Sequence, residues 1–475
     1  MRFIILILSV LTFVSPAVAE EPQTSVSAEV FGQLPRIDGV QLSPDGTRMA
    51  MLQSYKGAMT LTTTGLRQGE VGTFYTIPFK EGRYNWFRWL TNDRLAASIR
   101  FPEERLYSNT TEGRLLAFEW DASEQINLVK RQRIKGYWAA TSRTWISQFQ
   151  DKVVSFLPDD PDHILLALDD FDNINRPDVY KVNIHDADRS RIIRSRTNIR
   201  DWRADQKGVV RLGIGFNEKG KERIMYRKSE DDGWKTIARY DLIEDDIPFT
   251  FEEFSSDPDI IYVSKLDENG RNAYYKYDLE KEEFIDQVAG SVEGDVDSVD
   301  IDEDGNLRSY YYSGVKPVTV YTDQKRKSLA AFFEKKFPGQ SSRIVSSSKD
   351  KRKYIVLVSS PRNPGDYYLL DLDKKAMNWF AEKYPGLDRS KLAPMEPVTY
   401  TARDELEIPG YLSLPVGKEP KNLPTIIMPH GGPNARDHWE FDYWVQMLTT
   451  RGYAVLQMNY RGSTGFGAGF ESLGD

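Results

Sequence analysis

Two short stretches near the end of the chain carry residues suited to acyl-transfer chemistry. The first is Pro429-His430-Gly431-Gly432-Pro433, directly after the apolar run Pro424 to Met428. A tetrahedral intermediate of acyl transfer carries an O⁻ that backbone N–H groups must meet at hydrogen-bond distance. Glycine lets the backbone approach that closely and adopt the needed dihedrals. Gly431 and Gly432 qualify as donors, whereas Pro433 has no N–H to give. A plain tight turn has the same composition, so the motif alone leaves both readings open. The second stretch is Asn459-Tyr460-Arg461-Gly462-Ser463-Thr464-Gly465-Phe466-Gly467. A nucleophilic serine between a strand and a helix sits in G-x-S-x-G, and no such pattern occurs in the sequence. Ser463 is a decoy: Arg461 stands where the first glycine is required, and Gly465, Gly467 and Gly469 disfavour a following helix. Ser463 reads as a loop residue.

Other chemistries are excluded by composition. The 475 residues contain no cysteine, which removes disulfides, thiolate metal sites and a thiol nucleophile. The only histidines are His163, His185, His430 and His438, with no HExxH spacing, so a zinc hydrolase has no ligand set. No metal or organic cofactor is implied. The formal net charge of -8 and the lack of a basic face argue against nucleic acid as a partner. The one basic cluster, Lys325-Arg326-Lys327 with Lys335-Lys336, flanks Leu329 to Phe333 and reads as the wet side of a short helix.

The elements that must position the two glycine loops read as a βαβ unit. Pro424 to Met428 is an apolar run of the kind a parallel sheet buries on both faces. A helix is expected from Asp437 onward, with Asp437 and Glu440 as a capping pair. Phe441, Trp444, Val445 and Leu448 form its apolar face, and Gly452 its stop. Tyr453 to Met458 is the second strand. A loop such as 429–433, after a buried strand of this unit, is where α/β hydrolases place half of the oxyanion hole. Upstream, Val398 to Ala402 and Glu407 to Leu414 read as strands, and Lys374 to Tyr384 as a short helix ended by Pro385-Gly386. Pro394 and Pro397 mark a domain boundary.

Before that boundary the chain repeats. Seven segments share an apolar or aromatic start, an acidic turn and an apolar strand. They begin near Leu42, Trp89, Phe156, Trp202, Phe254, Ile301 and Ser346, at steps of 45 to 67 residues. Each is followed by a second hairpin arm, such as FYTIPF, LLAFEWD or YYLLDLD. A four-stranded repeat of this length is the signature of a propeller blade. A β-sandwich requires no regular step and seldom exceeds ~250 residues. The expected fold is therefore a seven-bladed β-propeller over 25–392, with an insertion near Gln125 to Phe149, followed by the N-terminal part of an α/β-hydrolase domain over 393–475.

The propeller, then PVTYTARDELEIPGYLSLP, MPHGGP and NYRGSTGFG, resembles the prolyl oligopeptidase family of serine peptidases, above all its acylaminoacyl-peptidase and bacterial dipeptidyl-peptidase branch. The likeness covers nearly the whole chain and is specific in its last 80 residues. One departure is Asp404-Glu405, where the family usually has Asp-Gly; it bears on turn geometry and not on chemistry. The resemblance implies hydrolysis of short peptides through an acyl-enzyme. It implies that Gly432 supplies an oxyanion-hole N–H, and that His430, Gly431, Pro433, Asn459, Arg461 and Gly462 shape the loops. His430 is not the base, because in this fold the order along the chain is Ser, Asp, His. All three triad members are expected beyond Asp475, so the chain reads as a fragment, inactive as it stands. Some relatives hold a peptide N-terminus with paired propeller glutamates. Glu103-Glu104, Glu252-Glu253 and Glu282-Glu283 match by type only and read as surface charge.

Arg2, the apolar run Phe3 to Val14, and Pro16-Ala17-Val18-Ala19 have the order of a secretory signal peptide over 1–19. The run is too short for the ~20 residues that span a bilayer, so export to a periplasmic or extracellular site is expected, without stable membrane insertion. Two rivals remain: an exported propeller that only binds, and an esterase on the same fold. The HGGP loop speaks against the first, because a scaffold has no use for it. A panel of ester and peptide substrates separates the second.

Overall fold

The computed structural model describes residues 26–67, 74–77, 82–105, 108–134, 143–170, 174–241, 248–432 and 434–474. The leader expected over 1–19 and Pro433 lie outside these residues. Seven antiparallel sheets follow one another over 37–77, 83–127, 153–193, 201–241, 250–289, 296–321 and 341–382. Each is a meander in chain order. Six have four strands and the sixth has three.

Each of the seven repeated segments falls in a different sheet, at the turn from first to second strand. The acidic residues there act as the turn chemistry requires. Asp45 Oδ1 accepts the Thr47 N–H at 3.0 Å. Asp205 Oδ1 accepts those of Lys207 and Val209 at 3.0 and 2.9 Å. Asp302 and Asp350 repeat the device in the sixth and seventh sheets. The second arms form third strands, except that Phe74–Ile77 is the fourth strand of the first sheet, behind the threonine-rich Ala58–Gly65.

Apolar faces of neighbouring sheets pack in sequence around a ring. Leu95 and Phe118 of the second sheet meet Ala50 and Leu61 of the first. Ile164 and Leu166 of the third meet Leu115 of the second. Trp202 of the fourth meets Leu165 of the third, and Phe254 of the fifth meets Leu212 of the fourth. The ring closes where Val40, Leu42 and Met51 of the first sheet pack on Ile355 and Tyr367 of the seventh. Hydrogen bonds seal that closure: Tyr367 OH to Asp38 at 3.1 Å, and Lys353 Nζ to the Gly46 carbonyl at 2.9 Å. First strands of four neighbouring sheets, through Gln41, Phe87, Val153 and Ser346, line a space of about 570 Å³. This is the propeller arrangement.

The sixth sheet lacks an outer strand, and helix Gln324–Lys336 takes its place. Asp323 caps the helix by accepting the Arg326 N–H at 2.7 Å, and its buried Phe333 packs on Tyr354 and Val358 of the seventh sheet. The basic cluster lies on this helix, with Lys325, Lys327, Lys335 and Lys336 on its wet side as expected, but Arg326 turns inward, 3.9 Å from Asp300. The insertion begins later than expected: Gln125–Asn127 is the fourth strand of the second sheet, and Gln132–Ile134 pairs with Arg143–Trp145 as a separate ribbon.

Two helix expectations are corrected. Lys374 to Tyr384 is not a helix; Ala376–Glu382 is the outer strand of the seventh sheet. A tight turn starts it, with Asp371 Oδ1 accepting the N–H groups of Asp373 and Lys374 and Lys375 at φ 50°. Pairing with Asn363–Asp371 overrides the helical propensity of the segment. The helix expected from Asp437 begins at Tyr443 and runs to Thr449. Its cap is Asp442, which accepts the Trp444 and Val445 N–H groups at 2.7 and 3.0 Å, while Asp437 is held elsewhere.

The last sheet is mixed, in the order Met395–Thr401, Glu407–Ser413, Ala454–Met458, Thr425–Ile427. Only the last pair is parallel, bridged by helix Tyr443–Thr449. Thr425–Ile427 pairs on one side alone. It was expected to be buried on both faces, but Ile427 is 52% exposed at this open edge. The N-terminal helix Ala28–Phe31 packs against this module, through Phe31 with Leu392, Phe441 and Met447.

Candidate active site

The C-terminal end of the parallel strand Thr425–Ile427 leads straight into the glycine loop. Met428 still donates to the Leu456 carbonyl at 2.9 Å, so pairing continues to the base of the loop. Gly431 and Gly432 are exposed. Gly432 has φ 135°, and a Cβ there would stand 2.8 Å from the Asn434 nitrogen. Glycine is therefore required at 432 for both dihedral and space. Among the described residues no acceptor takes the N–H of Gly431 or Gly432. Two exposed, unused donors stand together at a strand end.

His430 is held on three sides. Its ring stacks on Tyr460 with centroids 4.4 Å apart and planes 12° from parallel. The Tyr460 hydroxyl donates to the His430 carbonyl at 2.9 Å. Nδ1 lies 2.8 Å from the Gly431 carbonyl oxygen, and Nε2 lies 2.8 Å from Ser463 Oγ. A carbonyl only accepts, which assigns the ring hydrogen to Nδ1. Nε2 then accepts from the Ser463 hydroxyl.

This hydrogen bond has the form of a serine–histidine dyad, but its surroundings do not serve catalysis. Ser463 is fully buried at 0% exposure, so no substrate carbonyl reaches Oγ. The N–H after a nucleophile completes an oxyanion hole; here the Thr464 N–H is taken up by the Ala435 carbonyl at 3.0 Å. A four-residue helix, Ala468–Glu471, does follow, against the expectation of none. Its cap is Gly467, without a side-chain hydrogen bond, so it is a turn at the end of a glycine loop and not the helix of a nucleophile elbow.

The other loop residues have separate duties. Asn459, 1% exposed, clamps the Asp437 peptide: Oδ1 accepts its N–H at 2.7 Å and Nδ2 donates to its carbonyl at 3.3 Å. Arg461 makes a two-oxygen pair with Asp404 at 2.9 and 2.7 Å. That pins the hairpin in which Glu405, the departure from Asp-Gly, takes φ 67°. Gly462 has φ 92°, and its N–H goes to the Phe470 carbonyl at 3.1 Å. Pro433 lies outside the described residues. The structure thus brings His430, Gly431 and Gly432 together with Tyr460 and Ser463, while Asn459 and Arg461 brace flanking segments. Tyr460 and the role of Ser463 were missed, because nothing local couples positions 30 and 33 residues from His430.

Burial raises the Asp437 carboxyl above its ordinary range, although Gln457 donates to it at 3.0 Å. Burial, with Arg436 beside it, lowers the His438 imidazole; its Nδ1 is 3.4 Å from Ser313 Oγ of the sixth sheet. Among the glutamate pairs, Glu282 and Glu283 are solvated, with Glu282 3.3 Å from Lys235. Glu103 and Glu104 are exposed on the long strand Arg94–Arg105. Glu252 departs from the surface reading: burial raises its carboxyl and the Ser264 hydroxyl donates to it at 2.7 Å.

No protein-family model matches the chain. Dipeptidyl aminopeptidase BIII of Pseudoxanthomonas mexicana is 27% identical over 343 residues, 68% of this chain and 48% of that protein. Dipeptidyl peptidase family member 6 of Caenorhabditis elegans is 38% identical over 159 residues, 29% of this chain and 22% of that protein. The chain spans about half the length of the first relative. In three dimensions it superposes on a prolyl endopeptidase with a TM-score of 0.61 at 12% identity, covering 94% of this chain and 64% of the other. That likeness concerns the fold. The chain is thus similar in sequence to dipeptidyl peptidases and in fold to a prolyl endopeptidase, a combination consistent with the prolyl oligopeptidase family.

Proposed function

We propose that these residues form the substrate-screening and oxyanion-loop part of an exported serine peptidase that hydrolyses short peptides. The seven sheets are read as seven blades, and 393–475 as the first part of an α/β-hydrolase domain. The carrying observation is the pair of exposed N–H groups at Gly431 and Gly432, free of acceptors among the described residues, at the end of a parallel strand. The reaction assigned to the whole protein is acyl transfer. A serine oxygen outside these 475 residues adds to the peptide carbonyl, and its proton passes through a base to the leaving amine. The O⁻ formed in between accepts the Gly432 N–H. Water then releases the acid and restores the serine. The closed ring admits short peptides and holds back folded proteins. Export rests on the leader at 1–19, and exported material is expected to begin at Glu20 by N-terminal sequencing.

The test is a substrate panel on a chain extended in frame past Asp475. Dipeptidyl and aminoacyl anilides are expected to be cleaved and folded casein-sized proteins spared. Hydrolysis of p-nitrophenyl esters without any of the anilides assigns an esterase and sinks the peptidase reading.

A further inference from the structure

The glycine loop that carries Ser463 has little stiffness of its own. Gly462, Gly465 and Gly467 have φ of 92°, 86° and 91°, and no side chain restricts them. Contacts with the propeller add to those it makes within its own module. Asp295 lies just before the first strand of the sixth sheet, Val296–Ile301. Its N–H donates to the Gly465 carbonyl at 3.2 Å, and its Oδ2 accepts the Gly467 N–H at 3.1 Å. Its Oδ1 accepts the Asn272 N–H of the fifth sheet at 2.9 Å, which fixes the carboxylate. Ala468 adds a bond to the Gly270 carbonyl at 2.8 Å. On the sixth sheet, Arg436 Nη1 donates to the Ser313 carbonyl at 2.9 Å while its guanidinium covers Phe466.

We infer that Asp295 is a positioning residue for the His430–Gly432 loop, acting from the propeller through Gly465–Gly467 and Ser463. The chain of contacts is continuous. Asp295 holds the two ends of Gly465–Gly467; that stretch sets where Ser463 sits; Ser463 Oγ binds Nε2 of His430; and Nδ1 of His430 binds the Gly431 carbonyl, which precedes the Gly432 N–H. The carboxylate is needed because two acceptors must face two N–H groups from different directions. Docking of the propeller thereby becomes a condition for a formed donor loop. The importance of this coupling for catalysis rests on the oxyanion reading above, but the coupling itself is measurable without catalysis.

The test uses the 475-residue chain and the ring-nitrogen NMR spectrum of its four histidines, with His430 assigned by His430→Gln. In the parent, His430 is expected as a single tautomer with hydrogen on Nδ1, the form its two contacts select. Asp295→Ala removes both acceptors, and the His430 pattern should move to that of a tautomer-averaged imidazole, as in Ser463→Ala. Asp295→Asn keeps one acceptor and should fall between. Asp302→Ala, which disturbs a turn at the far end of the same strand, should leave His430 unchanged. A folded Asp295→Ala chain with the parent His430 pattern overturns the inference, and so does an equal change from Asp302→Ala. Where the alanine variant does not fold, an Asp295→Asn spectrum identical to the parent overturns it alone. Absence of peptidase activity in the extended chain, with the His430 response intact, removes the oxyanion reading and leaves the coupling standing.

Discussion

Asp437 is a carboxylate that the fold tolerates at a cost, and replacing it should raise stability. One of its oxygens accepts the Gln457 amide at 3.0 Å. The other, Oδ2, is buried without a partner among the described residues, and so is Oε1 of Gln457 itself. Burial raises the carboxyl from its unfolded value of 3.8. The sign follows. The folded state binds the proton more tightly than the unfolded state, so stability is lost as pH rises from 3.8 through the raised folded pKa. In Asp437→Asn the retained oxygen keeps the Gln457 bond, no charge is buried, and the new N–H₂ supplies a donor to a pair that has one acceptor too many. Relieving an unsatisfied buried group contributes about 1–3 kcal/mol; Asp437 is half-buried, so the gain is discounted to about 1 kcal/mol. Urea unfolding at pH 7.5 should show that gain in the C-terminal module, shrinking toward zero near pH 4. A variant less stable than the parent at pH 7.5, or a gain that grows on acidification, refutes the reasoning.

Arg94 is 1% exposed, reaches Glu119 and Glu124, and donates through Nε to the Ile184 carbonyl of the third sheet at 2.9 Å. Arg94→Leu strands that carbonyl and should cost about 2–3 kcal/mol by urea denaturation. Tyr367→Phe removes one bond of the ring closure and should cost about 1 kcal/mol by the same measurement. Gly432→Ala meets both a φ of 135° and a nitrogen 2.8 Å from the new Cβ. In an extended chain it should lower kcat about 100-fold with KM nearly unchanged, the signature of a lost oxyanion donor.

What was legible in the sequence is what is settled locally. Six of the seven turn segments announce themselves because an Asp must reach N–H groups two to four residues away, as Asp205 and Asp302 do; in the second, Thr91 Oγ1 accepts the N–H groups of Asp93 and Arg94 instead. The glycine loop was legible because a φ of 135° at Gly432 leaves no other residue comfortable. Long-range pairing was hidden. Ala376–Glu382 has helical composition but is captured by a neighbouring strand. Asp437 looked like a helix cap, yet Asn459, 22 residues away, holds its peptide. Dismissing Ser463 on motif grounds agreed with its burial, but the sequence concealed that the same serine orients His430. Asp295 lies 172 residues from Gly467, and no local pattern couples them.

Which serine does the chemistry is decided by one assay. The purified 475-residue chain, a chain extended in frame past Asp475, and the Ser463→Ala form of each are compared on dipeptidyl and aminoacyl p-nitroanilides. A nucleophile other than Ser463 predicts no turnover by the 475-residue chain, turnover by the extended chain, and for extended Ser463→Ala a reduced rate that is still well above background. Turnover by the 475-residue chain that Ser463→Ala abolishes contradicts it.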